Sequence, residues 1–276
     1  MRKAIVDCDW LNQHLQDPNV RVVDTRFVLG EPKEGLLKYI EAHIPGALFF
    51  DLEKDLSGPA EKHGGRHPLP EINLFAEKLS AAGIDETITV VAYDEDGGMF
   101  SARFWWMLQY LGHEKVFILD GGFNEWNRKG YPTNTDFPVV EKKTFTPNIQ
   151  SDLVVDIEEV KKRPASTVLI DARSPERYAG LEEPIDKKAG HIPGAVNAFW
   201  KQNYNEKGTW KTKDELSNFY RGFGEGEEQI VYCGSGVSAC PNIIGLAEAG
   251  FENVKLYLGS WSDWSSYEDN PVETGK

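Results

Sequence analysis

Cys233 stands where an apolar run, Gln229-Ile230-Val231-Tyr232, gives way to Gly234-Ser235-Gly236-Val237-Ser238. The run reads as a short buried strand, and the residues from Ser238 to Glu248 read as a helix. A cysteine between a strand end and a helix start faces backbone N–H groups and the positive end of the helix dipole, and both favour the thiolate. The glycines let such a loop curl until its N–H groups converge on one point, a nest for an anion. That anion would be the sulfur itself or a substrate beside it. On this fragment alone the opposing reading is a buried, inert cysteine at a tight turn, a common fate of free cysteines.

The elements that must position this loop occur twice. Val22-Val23-Asp24-Thr25-Arg26 resembles Leu169-Ile170-Asp171-Ala172-Arg173, and His43-Ile44-Pro45-Gly46-Ala47 recurs unchanged as His191-Ile192-Pro193-Gly194-Ala195. Val90 to Asp94 aligns with Gln229 to Cys233, and Val116 to Trp126 with Val254 to Trp264. Four matches in one order at nearly constant spacing point to a fused duplication, and two copies make two similar domains rather than a solenoid. Each copy opens on a helix (Asp9 to Leu15; Asp156 to Val160, with Glu159 completing a capping box) and then alternates apolar strands with helical stretches such as Ala102 to Leu111 and Ile243 to Ala249. That alternation predicts α/β domains, each a mostly parallel sheet flanked by helices. The expected division is residues 1–135, a linker at 136–152 that overlaps the proline-bearing stretch 130–151, and residues 153–276.

The copies differ at one telling place. The first has Asp94 where the second has Cys233, followed by a longer, acidic loop, Glu95-Asp96-Gly97-Gly98. The fold therefore does not require cysteine there, and the second copy is expected to carry the chemistry. Arg26 and Arg173 are shared by both copies and read as structural, as do His43 and His191. Cys240, Trp261 and Trp264 read as core.

Composition bounds the partners. The 276 residues are 40% hydrophobic and 27% charged, as in a globular protein, and the net charge of −14 argues against nucleic acid and anionic membranes. No run of about 18 apolar residues suggests a membrane span, and the N-terminus looks unlike a signal peptide. Three cysteines, Cys8, Cys233 and Cys240, suit a reducing compartment, so the expected location is the cytoplasm. No ligand cluster calls for a metal or an organic cofactor.

The paired blocks, the Cys-Gly-Ser-Gly-Val-Ser loop and the Gly-Ser-Trp-Ser-Asp-Trp segment together resemble the rhodanese family, specifically its tandem two-domain sulfurtransferases, over nearly the whole chain. The resemblance implies a non-catalytic first domain, a catalytic second one and a site between them. It implies that Cys233 takes sulfur from a small-molecule donor as a persulfide and yields it to cyanide, a thiol or a thioredoxin-like acceptor. Members that use thiosulfate tend to carry Arg and Lys after the cysteine. Gly234 and Ser235 are neutral and resemble the loop of members that use 3-mercaptopyruvate. In that reading Ser235 supplies or relays a proton to the departing enolate, and N–H groups along Gly234, Gly236, Val237 and Ser238 hold the persulfide. Arg177 falls on the family's substrate-arginine position and would clamp the donor carboxylate, bidentate contact being the arginine's strength. Its non-functional alternative is a pairing with Glu176 or Glu182. A second family arginine is absent, and Lys187 or Lys188 is the candidate substitute. The family's histidine partner of the serine maps to His43. Met99 and Phe100, on the first copy's version of the loop, either cover the cysteine as an apolar lid or pack on their own domain.

The alternatives are a thiosulfate-preferring enzyme and a non-enzymatic persulfide carrier or redox module. A Cys-x5-Arg phosphatase is disfavoured because Ala239 stands where its arginine would be.

Overall fold

The structure, a computed structural model, describes residues 4–95, 98–223 and 228–275. Asp96 and Gly97 of the acidic loop lie outside the described residues. The first sheet comprises β1 (Ile5–Val6), β2 (Val20–Asp24), β3 (Ala47–Phe49), β4 (Thr89–Tyr93) and β5 (Val116–Leu119), ordered β1-β5-β4-β2-β3. The second repeats that order with β6 (Val154–Val155), β7 (Thr167–Asp171), β8 (Val196–Asn197), β9 (Glu228–Tyr232) and β10 (Val254–Tyr257), as β6-β10-β9-β7-β8. Every pairing within these sheets is parallel. Strands such as Thr-Val-Val-Ala-Tyr and Glu-Gln-Ile-Val-Tyr are apolar on both faces because helices cover both sides of a parallel sheet.

The helices are α1 (Cys8–His14), α2 (Glu34–Glu41), α3 (Ile72–Ala81), α4 (Met99–Tyr110) and α5 (Gly122–Arg128) in the first half. The second half has α6 (Ile157–Lys162), α7 (Pro175–Tyr178), α8 (Lys213–Arg221), α9 (Cys240–Ala249) and α10 (Ser260–Trp264). Asp156 and Glu159 form the expected reciprocal capping box on α6. Two expected helices begin elsewhere. The one after Cys233 starts at Cys240, since Gly236 takes a left-handed φ of 76° and Pro241 occupies the first turn, where proline is tolerated. The one expected from Ala102 starts earlier, at Met99.

Identical pins hold the two central strands. Asp24 sits beside Tyr93 in register, and Asp171 beside Tyr232. Arg26 meets Asp24 at 2.7 Å and Arg173 meets Asp171 at 2.6 Å, all buried. The Tyr93 hydroxyl donates to Asp24 at 2.7 Å and accepts the Ile44 N–H at 3.2 Å; the Tyr232 hydroxyl accepts the Ile192 N–H at 3.1 Å. His43 and His191 stack on Tyr39 and Tyr178 and bond backbone carbonyls. The recurring blocks thus fix the strand end after which Asp94 or Cys233 emerges.

The expected linker is no free tether. Asn134 exchanges backbone bonds with His43, Lys143 donates to Ser80, and Asn148 and Gln150 donate to Leu111 and Tyr110, with Phe145 buried. The halves meet where α4 packs on α9, and one apolar core runs through both, joining Phe104 and Met107 to Val237, Ile243 and Leu246. Among the described residues no helix is long and apolar enough to cross a membrane.

Candidate active site

Cys233 leaves β9 at the carboxyl end of a central strand, where open α/β sheets place their ligands. Its backbone N–H donates to the Ser260 hydroxyl at 3.1 Å, and its carbonyl accepts the Trp261 N–H at 2.9 Å, so α10 fixes the start of the loop. The loop then turns back, and the Gly236 N–H donates to the Cys233 sulfur at 3.2 Å. A Cβ on Gly236 would stand 2.5 Å from the Leu258 carbonyl oxygen, so both the φ and the space demand glycine.

The first half holds the same nest with a different occupant. The Asp94 carboxylate accepts N–H bonds from Gly98 at 2.6 Å, Phe100 at 2.9 Å and Ser101 at 3.2 Å. The strand–loop–helix unit therefore turns loop N–H groups onto the residue that follows the strand in both copies, three onto Asp94 and the Gly236 N–H onto Cys233. A fixed carboxylate fills the first nest, and a sulfur occupies the second.

The sulfur itself is buried, and the loop beside it lines a cavity of about 480 Å³ between the halves. Gly234, Ser235, Val237, Ser238 and Arg177 line it from the second half, while Arg66, His67, Met99 and Phe100 line it from the first. Met99 and Phe100 therefore do reach the cavity from across the interface. The first copy, expected to lack the nucleophile, builds much of the wall.

Ser235 is nearly buried, and its hydroxyl lies 2.7 Å from His67 Nδ1. Burial, reinforced by the charges of Arg103 and Arg66, pushes His67 down to about 4, so at neutral pH the ring is uncharged and able to accept the hydroxyl proton. His43, to which the family's pairing maps but which reads as structural, is elsewhere: it is fully buried, held by the Tyr39 and Asp136 carbonyls at 2.7 and 3.0 Å.

Arg177 points to the loop, its Nη1 lying 3.5 Å from where a Gly234 Cβ would stand. Its carboxylate partners are neither Glu176 nor Glu182. Nη2 meets Glu183 Oε1 at 2.6 Å and Asp186 Oδ2 at 3.1 Å. The second cation is neither lysine. Lys188 donates to the Tyr267, Glu268 and Asn270 carbonyls, and Lys187 is exposed and absent from the cavity lining. Arg66 of the first half takes that place, 3.0 Å from the same Gly234 point and paired with Asp186. Sequence reasoning missed Arg66 and His67. Their signal was Gly64-Gly65-Arg66-His67-Pro68, a glycine-led basic segment in an acidic chain with no counterpart in the repeat.

Cys240 begins α9, is fully buried and bonds the Gly236 carbonyl at 3.5 Å, and burial pushes its thiol well up. Cys8 is likewise pushed up to about 12 by burial. Neither is a reactive thiol at neutral pH. Trp261 and Trp264 are buried, as are Phe123 and Trp126 in the equivalent places.

The chain is similar to known proteins over nearly its whole length. A protein of Pseudomonas aeruginosa named probable 3-mercaptopyruvate sulfurtransferase is 39% identical over 272 residues, covering 96% of each chain. A putative thiosulfate sulfurtransferase of Mycobacterium tuberculosis, SseB, is 37% identical over 265 residues, covering 94% of this chain and 92% of that one. The crystal structure of SseA from Escherichia coli, a 3-mercaptopyruvate sulfotransferase of rhodanese fold, superposes with a TM-score of 0.83 at 33% identity, covering 95% of this chain and all of that one. The rhodanese-like domain model matches twice, at residues 7–129 and 156–267. The chain therefore belongs to the rhodanese family, as a tandem two-domain sulfurtransferase.

Proposed function

We propose that this protein moves sulfur from 3-mercaptopyruvate to a thiol acceptor through a persulfide on Cys233. The observation that carries the reading is the composition of one cavity wall: a buried sulfur held by the Gly236 N–H, a serine paired with a neutral histidine, and two guanidinium groups flanking Gly234.

The chemistry runs as nucleophilic catalysis in two halves. The Cys233 thiolate attacks the donor sulfur, an S–S bond forms, and the donor C–S bond breaks. Its electron pair leaves on carbon as the pyruvate enolate, which must gain a proton. Ser235 passes that proton, with His67 as its relay partner, a role supported by their 2.7 Å contact. The N–H groups from Gly234 to Ser238 hold the persulfide anion. Arg177 and Arg66 hold the donor carboxylate. The acceptor thiol then takes the outer sulfur, returning Cys233 as the thiolate. A thioredoxin-like protein or a small thiol fits as acceptor, and cyanide serves in the assay. The residue division 1–135, 136–152 and 153–276 and a cytoplasmic location belong to the same reading.

Charge supports mercaptopyruvate over thiosulfate. The two guanidiniums are opposed by Glu183 and Asp186, so the site carries little excess positive charge and suits a monoanion better than a dianion. Thiosulfate is the second reading, supported by the guanidiniums beside the loop and by the name of the mycobacterial relative. Steady-state transfer from each donor, with a dithiol as acceptor, tests the choice. A higher kcat/KM for mercaptopyruvate supports the reading; a higher one for thiosulfate reverses the donor assignment and leaves the persulfide intact.

A further inference from the structure

Arg103 is the most unusual charge in this protein. It lies on α4 of the first half and is fully buried. Isolated buried ions are costly, and buried arginines normally sit against a carboxylate, as Arg26 and Arg173 do here. Among the described residues Arg103 has no such partner. Its Nη1 donates to the Gly236 carbonyl at 3.1 Å, and its Nη2 to the Leu56 and His67 carbonyls at 3.3 and 3.2 Å. Its Nε has no hydrogen-bond partner among the described residues. The titratable groups facing it are Cys233 and Cys240 from the second half and His67 from its own. His67 is neutral at physiological pH, and burial keeps Cys240 protonated. Cys233 is the remaining sulfur that faces it, and its Sγ accepts the Gly236 N–H.

The hydrogen bonds place this charge under the nest. Gly236 gives its N–H to the Cys233 sulfur and its carbonyl to Arg103, so a single residue couples the two. Cys240 also donates to that carbonyl, at 3.5 Å. We propose that Arg103 is the resident counter-ion of Cys233: a positioning residue, supplied by the half without the nucleophile, that anchors the nest and favours the anionic sulfur. This rests on the reading of Cys233 as the nucleophile, and it gives the first domain an electrostatic part in the reaction of the second.

The test is alkylation of the full-length chain by iodoacetamide across pH, with the label on Cys233 mapped by peptide mass, in wild type, R103K and R103M. An opposite charge close to a titrating group typically shifts its titration by about one to three pH units. The R103M profile should therefore move up by about that much, with labelling at neutral pH slowed roughly tenfold or more, and R103K should recover most of the shift. An unchanged profile in folded R103M overturns the role of Arg103 alone. Absence of Cys233 labelling in wild type at every pH overturns the nucleophile reading and the counter-ion with it. If R103M does not fold, C233S serves as the reciprocal variant. Its deficit in unfolding temperature against wild type should widen from pH 5 to pH 8, as the sulfur loses its proton, and a constant deficit overturns the proposal.

Discussion

Arg177→Lys separates a donor clamp from a structural arginine. The guanidinium makes a two-pronged contact with Glu183, Nη2 at 2.6 Å and Nε at 3.3 Å, and a further one with Asp186. A carboxylate bound beside Gly234 would meet the other edge of the guanidinium, where Nη1 lies nearest the loop. Lysine keeps the charge and loses the fork. A hydrogen bond to a charged group is worth about 1.5–3 kcal/mol, so losing one should raise KM for mercaptopyruvate roughly ten- to a hundredfold. The carboxylate is remote from the breaking C–S bond, so kcat at saturating donor should change little. The fold should survive, since Glu183 keeps Arg173 at 3.2 Å and Asp186 keeps Arg66. The assay is pyruvate release over a wide range of donor concentration, with a thermal melt of the same preparation. KM within twofold of wild type, or a fall in kcat at constant KM, would refute the clamp.

Ser235→Ala should lower kcat on mercaptopyruvate by about a hundredfold or more with little change in KM, the usual scale for a lost proton transfer, and full turnover would remove its role. His67→Gln should behave similarly, measured in the same assay. For pH, His67 takes its proton at about 4 when folded and near 6.5 when unfolded, because burial and then Arg103 and Arg66 disfavour its charge. The stability linked to keeping it neutral is complete above about 6.5 and is lost as pH falls towards 4. Denaturant titrations at several pH values should show that slope in wild type and a shallower one in His67→Gln. Gly236→Ala must carry a left-handed φ, worth about 1–2 kcal/mol, and a clash with the Leu258 carbonyl. Its unfolding midpoint should drop accordingly, and an unchanged midpoint would contradict the loop geometry.

The fold was readable because it is written twice. Residues that recur in both copies, such as Asp24 with Arg26 and Asp171 with Arg173, turn out to be the buried pins of the central strands. The loop that turns an N–H onto a sulfur was readable from the reverse signal, the replacement of Asp94 by Cys233. Arg66, His67 and Arg103 were not, for a physical reason. They come from the other half of the chain, and nothing local in a helix such as Met99–Tyr110 announces that Arg103 will cross an interface to the Gly236 carbonyl. The structural reading of His43 agrees with its place in a repeated motif, while the histidine beside Ser235 comes from the unrepeated segment before α3. The donor argument was likewise local. Gly234 and Ser235 are neutral, but the charges that flank them arrive from Arg66 and Arg177.

The central claim is that Cys233 carries the sulfur between donor and acceptor. It is tested most directly by a single half-reaction: the protein is mixed with 3-mercaptopyruvate in the absence of acceptor, and pyruvate and intact protein mass are read together. The account predicts one pyruvate released per chain and one sulfur atom gained, located on the peptide containing Cys233, with neither change in C233S. Pyruvate release in C233S, or sulfur found on Cys8 or Cys240 instead, would contradict it.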